Sequence, residues 1–582
     1  MNGKKITLLV FTIILAVGTV FGGGRQSSSQ AAPSGTSPRN QTLYMNLQND
    51  GTITGYNPYG NCNNNFSKDE SQLVFETLFL FNMLDKKLYP QIGDSYSWDG
   101  QTMTIQLNQN VKFWDGTALT AQDVVNSYEL QKNYVTPFSG YWSYLDSVTA
   151  QGDYTVILKG KSSNFNPKYM EASITALYIT SKAYWEKQKL GSGQEALLQF
   201  AGFDCMGTGP YKPHFHEETS YGVMRDDNYW GKHPSRNGKL PVPKYIVQAS
   251  FRGDNASVDI AFEAGQIDVS GSFHTEVWKL WERGLPVETY IPQAPYYMPG
   301  VIPMIIYNTT KPGLNDPAVR RAIAMVLDYD RIAINAMSGY SAKMVPSLML
   351  PVPAEQNLID LNAIRPYQWS GIDVAGANKL LDDAGWVRGT DGIRAKGGVK
   401  LVFKAECPFG WTDWNAALEV VAQSTKQIGL DIQTYYPDTQ VVVQDRMNGT
   451  FDIVMYSPFK SDAASPWSRA YEFMGSMNLP PVGTSNVIQN YGRWVNQEAN
   501  QIINQLASEA NEAKLKELWT RLNIIFLQEM PAAPLMYRPA LFCTWNTTVW
   551  TGFPRLNDGT NIPPTLCNIG YGVKALYNLR LK

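Results

Sequence analysis

Few folds accommodate the stretch from Lys400 to Tyr435. Leu401, Phe403 and Ala405 alternate with Lys400, Val402 and Lys404, the period of a strand. Downstream, Ala416, Ala417, Val420, Val421 and Ile428 share one face of a helix that Thr412 or Asp413 can cap and Gly429 ends. Leu430 to Tyr435 then begins a second strand, which completes a βαβ unit. The loop between strand and helix reads FGWTDWN, Phe409 to Asn415. It therefore lies at the carboxyl end of a strand, where open α/β sheets take their ligands.

Strand and helix signals alternate elsewhere too. Thr102 to Phe113 reads as two strands joined by an Asn-rich turn, followed by a helix from Ala121 to Tyr128 capped by Thr120. Asn315 or Asp316 caps a helix that carries Pro317 in its first turn and runs to Asp328. Asp373 to Ala384 is a further helix, ended by Gly385. No short repeat is present, which excludes solenoids and propellers. A chain of 582 residues is too long for one core, so at least two lobes are expected. Lys plus Arg at 49 nearly balances Asp plus Glu at 51, and no basic stripe argues for nucleic acid. Aromatic residues are abundant, with 16 Trp, 32 Tyr and 23 Phe, and Tyr and Trp suit wet binding surfaces as well as cores.

The N-terminus has the pattern of an export signal over residues 1–24: Lys4 and Lys5, an apolar run from Ile6 to Phe21, then three glycines. A retained membrane anchor is the alternative to a cleaved signal; a lipoprotein would carry a cysteine just after that run, whereas the first cysteine is Cys62. Residues 25–40, rich in Ser, Gln, Pro and Gly, read as a flexible linker. The expected location is periplasmic or cell-surface associated. Five scattered cysteines match no metal module; Cys543 and Cys567 are nearest in sequence, and whether any disulfide forms stays open.

Several blocks together resemble the bacterial extracellular solute-binding proteins of family 5. They are LYPQIGDSYSWDGQTMTIQLNQNVKFWDGTALTAQDVVNSYEL (Leu88 to Leu130), MGTGPYK (Met206 to Lys212), NYWGK (Asn228 to Lys232), FEAGQIDV (Phe262 to Val269), YNTTKPGLNDPAVRRAIAMVLD (Tyr307 to Asp328), KLLDDAGW (Lys379 to Trp386) and GTFDIVMYS (Gly449 to Ser457), in family order. The resemblance implies an α/β, two-lobe periplasmic-binding-protein-like clamp of type II, with an extra subdomain inserted in lobe one. Lobe one would comprise residues 41–72, 204–300 and 533–582, the inserted subdomain 73–203, and lobe two 301–532. It also implies a non-catalytic monomer without cofactor, which closes on a ligand and presents it to the permease subunits of an ABC importer. Peptide binders of the family carry a D-Y-x-D-P type segment in lobe two; this chain reads SPFKSDAASPWSRAYEFM there, Ser457 to Met474. Together with the GWTDW loop and GFP at Gly552 to Pro554, that segment looks more like the oligosaccharide-binding branch. An oligopeptide ligand is the alternative within the family.

A pyranose presents a C–H face that stacks on an indole and a rim of hydroxyls that a carboxylate or amide can hold. Trp411 and Trp414 fit the first role and Asp413 the second, although one tryptophan could pack under the helix and Asp413 could simply cap it. Tyr307 and Asn308 would line the cleft where the chain enters lobe two, or pack at the hinge. Asn57 and Tyr59 lie in an asparagine-rich loop suited to hydroxyls or to ordinary turns. The resemblance adds Trp467 and Asp462, and GYWSY offers Trp142. A secreted glycoside hydrolase would need two carboxylates facing each other, for which only Asp413 and Asp462 could be drafted. A sensor ectodomain would need an anchor or a partner kinase. His214 and His216 in HFHEE read as an exposed strand end rather than a metal site, and no nucleophile elbow, Walker loop or dinucleotide fingerprint is present.

Overall fold

The computed structural model describes residues 37–46, 54–60, 71–136, 138–163, 165–217, 220–251, 254–369, 371–457, 466–477, 479–486, 490–539, 542–564 and 570–582. Residues Ser37–Lys582 form one compact unit. The export signal, most of the expected linker, Asp462, Cys62 and the partner of any Cys543–Cys567 pairing lie outside the described residues. Arg39, within the expected linker, makes a two-pronged ion pair with buried Asp268, one prong at 2.5 Å.

Strand β1 (Thr42–Asn46) starts a sheet that the chain leaves at once. The excursion holds a hairpin, β2 (Phe79–Asn82) and β3 (Lys87–Pro90), and a four-stranded antiparallel sheet. That sheet comprises β4 (Gly93–Asp99), β5 (Thr102–Leu107), β6 (Leu145–Ala150) and β7 (Thr155–Gly160) in the order β4-β5-β7-β6. Residues 102–113 thus supply one strand rather than two, because after Asn108 the chain turns and only Lys112 pairs, as an isolated bridge to Ala118. The following helix starts as expected, with Thr120 and Asp123 forming a capping box, and extends to Asn133. The chain then returns to the first sheet with β8 (Tyr211–His216), β9 (Ser220–Arg225), β10 (Tyr245–Ala249), β11 (Val269–Ser270) and β12 (Val287–Glu288). In β8, His216 stacks on Phe203 with ring centroids 4.8 Å apart.

At Gly300 and Val301 the chain crosses to a second sheet, beginning with β13 (Met304–Tyr307). A small three-stranded sheet, β14 (Val387–Arg388), β15 (Arg394–Lys396) and β16 (Val399–Lys400), precedes β17 (Val402–Glu406), β18 (Asp431–Tyr435), β19 (Ile453–Tyr456) and β20 (Ala532–Pro534). Their order in the second sheet is β18-β17-β19-β13-β20. The expected βαβ unit is present: β17 and β18 pair in parallel from Val402↔Asp431 to Glu406↔Tyr435 across the Thr412–Thr425 helix. Gly429 closes that connection at φ 78, a left-handed conformation that glycine adopts without a Cβ penalty. The Asp316- and Asp373-capped helices are also present, over Pro317–Met325 and Val374–Asp383. After β20 the chain recrosses at Arg538 and adds β21 (Thr544–Asn546) to the first sheet.

The antiparallel sheet is bound to the C-terminal segment through a buried polar knot. Glu76 accepts hydrogen bonds from the Tyr229 hydroxyl (2.6 Å) and the Trp230 indole (2.8 Å). Lys574 donates to Asn237 (2.8 Å) and Gln91 (3.3 Å). Burial pushes the Lys574 ammonium down to about 8, opposed by the Glu76 carboxylate and reinforced by Arg236. The unfolded chain, with lysine at its ordinary 10.5, binds the extra proton between those values, so stability rises with pH across that window. Urea midpoints at roughly pH 7.5 and 9.5 should show this gain in the wild type and its loss in Lys574→Met, measured as a difference between the two proteins.

Candidate functional site between the lobes

The two crossing segments are paired with each other. The amides of Gly300 and Val301 both donate to the Arg538 carbonyl at 2.9 Å, and the Arg538 amide donates to Val301 at 3.0 Å. The Arg538 side chain runs into lobe two, where its Nε meets Asp413 Oδ2 at 2.7 Å. Both side chains are buried, and the guanidinium lies over the Phe542 ring at 4.5 Å.

This pairing revises the reading of FGWTDWN. The helix N-cap is Trp411, not Thr412 or Asp413, and Asp413 sits in the first turn, where its charge also complements the helix dipole. Its Oδ2 is taken by Arg538 and the residue is buried, so it does not present an open carboxylate at the surface of the loop. Trp414 is only 2 % exposed and belongs to the lobe-two core. Trp411 packs edge-on against it, with centroids 5.0 Å apart and planes at 82°, and remains partly exposed. Phe409, at 73 % exposed, is the open aromatic of the loop.

Other candidates are also used by the fold. Tyr307 is fully buried in β13, and burial holds its hydroxyl well above the usual phenol range. Asn308 clamps a turn: its amide donates to Gly449 and Phe451 at 2.9 and 2.8 Å, and its oxygen accepts from Thr310. Asn57 does the same with Leu197 and Phe200, and its oxygen takes the Tyr59 amide. The Tyr59 hydroxyl donates to the Tyr178 carbonyl at 2.6 Å while its ring stacks on Trp185. Trp142 donates to the Tyr128 carbonyl and carries Lys132 over its ring, so it braces the preceding helix. Asn308, Asn57, Tyr59 and Trp142 have the hydrogen-bonding capacity a sugar needs, but the backbone has taken it, and the Tyr307 hydroxyl is simply buried.

Trp467 lies where the inserted segment meets lobe two, although it does not present an open ring. Its indole donates to Ile503 at 2.9 Å, Tyr471 stacks on it at 5.1 Å, and Tyr169 approaches it edge-on at 6.3 Å. Nearby, Lys86 of the β2–β3 turn approaches Glu355, which is itself ion-paired to buried Arg469. On the hinge side, Tyr340 donates to the His274 carbonyl at 2.6 Å, and Asn255 donates to Thr412 at 2.9 Å. Arg538, Tyr340, Tyr471 and Lys86 were not singled out by the sequence. Nothing in their local pattern marks them, because each acts on a residue far away in the chain.

Two α/β bodies on a paired crossing, held face to face on both sides of it, define a hinged clamp for a ligand. The profile of the bacterial extracellular solute-binding proteins, family 5 (its middle region), matches residues 87–478, and the chain belongs to that family. Proteins of this family are the substrate-binding components of ABC importers and deliver ligands to permease subunits. The fold is similar to that of a Thermotoga maritima periplasmic oligopeptide-binding protein solved with mannohexaose, at TM-score 0.84 and 25% identity, covering 94% of this chain and 100% of that one. It is also similar to the Bacillus subtilis oligopeptide-binding protein AppA in complex with a nonapeptide, at TM-score 0.73 and 18% identity over 93% and 99% of the two chains. In sequence, the nickel-binding periplasmic protein of Escherichia coli is 23% identical over 475 residues, 78% of this chain and 82% of that protein.

Replacing Asp413 with Ala strands the Arg538 cation in a dry hinge, a change of the kind that costs about 3–5 kcal/mol. Chemical denaturation should show a loss of that order for Asp413→Ala. An unchanged midpoint would mean that the pair contributes nothing to the fold.

Proposed function

We propose that this chain captures an oligosaccharide, a β-linked gluco- or manno-oligosaccharide, outside the cytoplasm and delivers it to its permease by hinge closure. Lobe one would comprise residues 41–72, 204–300 and 533–582, lobe two residues 301–532, and residues 73–203 the subdomain that closes against lobe two. The observation that carries the sugar reading is the greater likeness of the chain to the mannohexaose-bound structure than to the nonapeptide-bound one. Trp411 supports it: this indole lies at the carboxyl end of β17 and, unlike Trp414, keeps part of its surface open. An indole of that kind stacks on the C–H face of a pyranose. Asp413 then acts one step back, by fixing the first turn of the helix that carries the loop.

The oligopeptide reading has a specific observation of its own, since AppA shares the fold and holds a nonapeptide. Thermal-shift screening of cello-, manno-, xylo- and laminari-oligosaccharides alongside peptides separates the two readings, because a ligand of the folded state raises its melting temperature by mass action. Stabilisation by sugars is expected; stabilisation by peptides and by no sugar would replace this reading with the other.

Trp411→Ala should weaken binding of the stabilising sugar about thirtyfold, the loss typical of a dominant aromatic contact, and leave the fold intact. Titration calorimetry measures it, and unchanged affinity would remove Trp411 from the site.

A further inference from the structure

The contact between the excursion after β1 and lobe two is built around two phenols. The Tyr144 and Tyr471 hydroxyls are 3.0 Å apart, and the two residues are 1 % and 5 % exposed. Tyr169 packs against both rings, with centroids 4.4 Å from Tyr144 and 5.7 Å from Tyr471, and Trp467 stacks behind Tyr471. Neither hydroxyl has another hydrogen-bond partner among the described contacts. Lobe two also offers an unfinished polar group at this face: Glu355 spends Oε2 on the Leu350 amide and on Arg469, while Oε1 has no hydrogen bond and faces Lys86 Nζ at 4.0 Å.

Tyr144 directly precedes β6 and Tyr169 lies in the helix Pro167–Ala176 that follows β7, both within the excursion, whereas 467 and 471 lie in a lobe-two helix. Opening the clamp would part the two phenols and give each hydroxyl to water; closing exchanges those waters for one mutual hydrogen bond in a dry aromatic setting. We infer that the Tyr144–Tyr471 pair is a closure latch, which raises affinity by populating the closed state without touching the ligand. This rests on the hinge-closure part of the proposed function and not on the identity of the sugar. A contact made only in the closed state shifts that equilibrium and so changes the apparent affinity for every ligand that needs closure.

The hydroxyl pair gives the latch a signature. Removing one hydroxyl leaves its partner buried and unsatisfied only in the closed state, whereas removing both leaves no orphan. Tyr144→Phe and Tyr471→Phe should each weaken binding about tenfold, chiefly through faster dissociation. The double variant should return to within about threefold of wild type. The probe is whichever cello- or manno-oligosaccharide stabilises the wild type or, if only a peptide does, that peptide, so failure of the sugar reading leaves this test intact. Two ligands of different length should lose the same factor. Unchanged affinity in the single variants, a double variant no better than the singles, or losses that differ between ligands would each overturn the latch. So would a single variant that lowers only the melting temperature of the ligand-free protein.

Discussion

Arg538 ties together the two halves of the clamp. Its backbone closes the antiparallel step with Gly300 and Val301, and its guanidinium holds the first turn of the helix after β17 through Asp413. A cation buried at that depth is tolerable only because a carboxylate meets it at hydrogen-bond distance and an aromatic face lies beneath it. The consequence is geometric as well as energetic. The loop at the carboxyl edge of lobe two is referenced to the crossing itself, so it keeps a fixed relation to the segments that join the lobes.

On both sides of the crossing, the lobes meet through groups with apolar bodies and polar tips. Tyr144, Tyr169, Tyr471 and Trp467 supply the area on one side; Tyr297, Phe273, Phe542 and Tyr340 pack together near the crossing. Tyrosine suits a face that is alternately wet and dry, since its ring gains from burial while its hydroxyl bonds equally to water or to a partner. The high tyrosine content thus serves contact surfaces between parts of this protein as well as any contact with ligand.

Much of the architecture could be read from the sequence because it is locally encoded. The alternation at Leu401, Phe403 and Ala405, the caps at Thr120, Asp316 and Asp373, and the left-handed Gly429 each specify their element within a few residues. The site was less legible, for a definite reason. A carboxylate in the first turn of a helix at a strand's carboxyl end looks the same whether it serves a ligand or an arginine 125 residues away. Asn57 and Asn308 mislead similarly: a side-chain amide able to hold a hydroxyl is equally able to hold two carbonyls, and in both cases the carbonyls win. The depth of the aromatic rings was not legible either, because Trp411 and Trp414 differ by less than one helical turn and only packing decides which is covered.

The pairing of the two crossing segments has a kinematic meaning. Two unconnected linkers would let the lobes slide and separate independently, whereas segments joined at Val301 and Arg538 would confine any hinge motion to bending and twisting of one paired ribbon. One distance across the mouth, read by a pair of spin or fluorescent labels on opposite lobes, would then follow the bending of that ribbon.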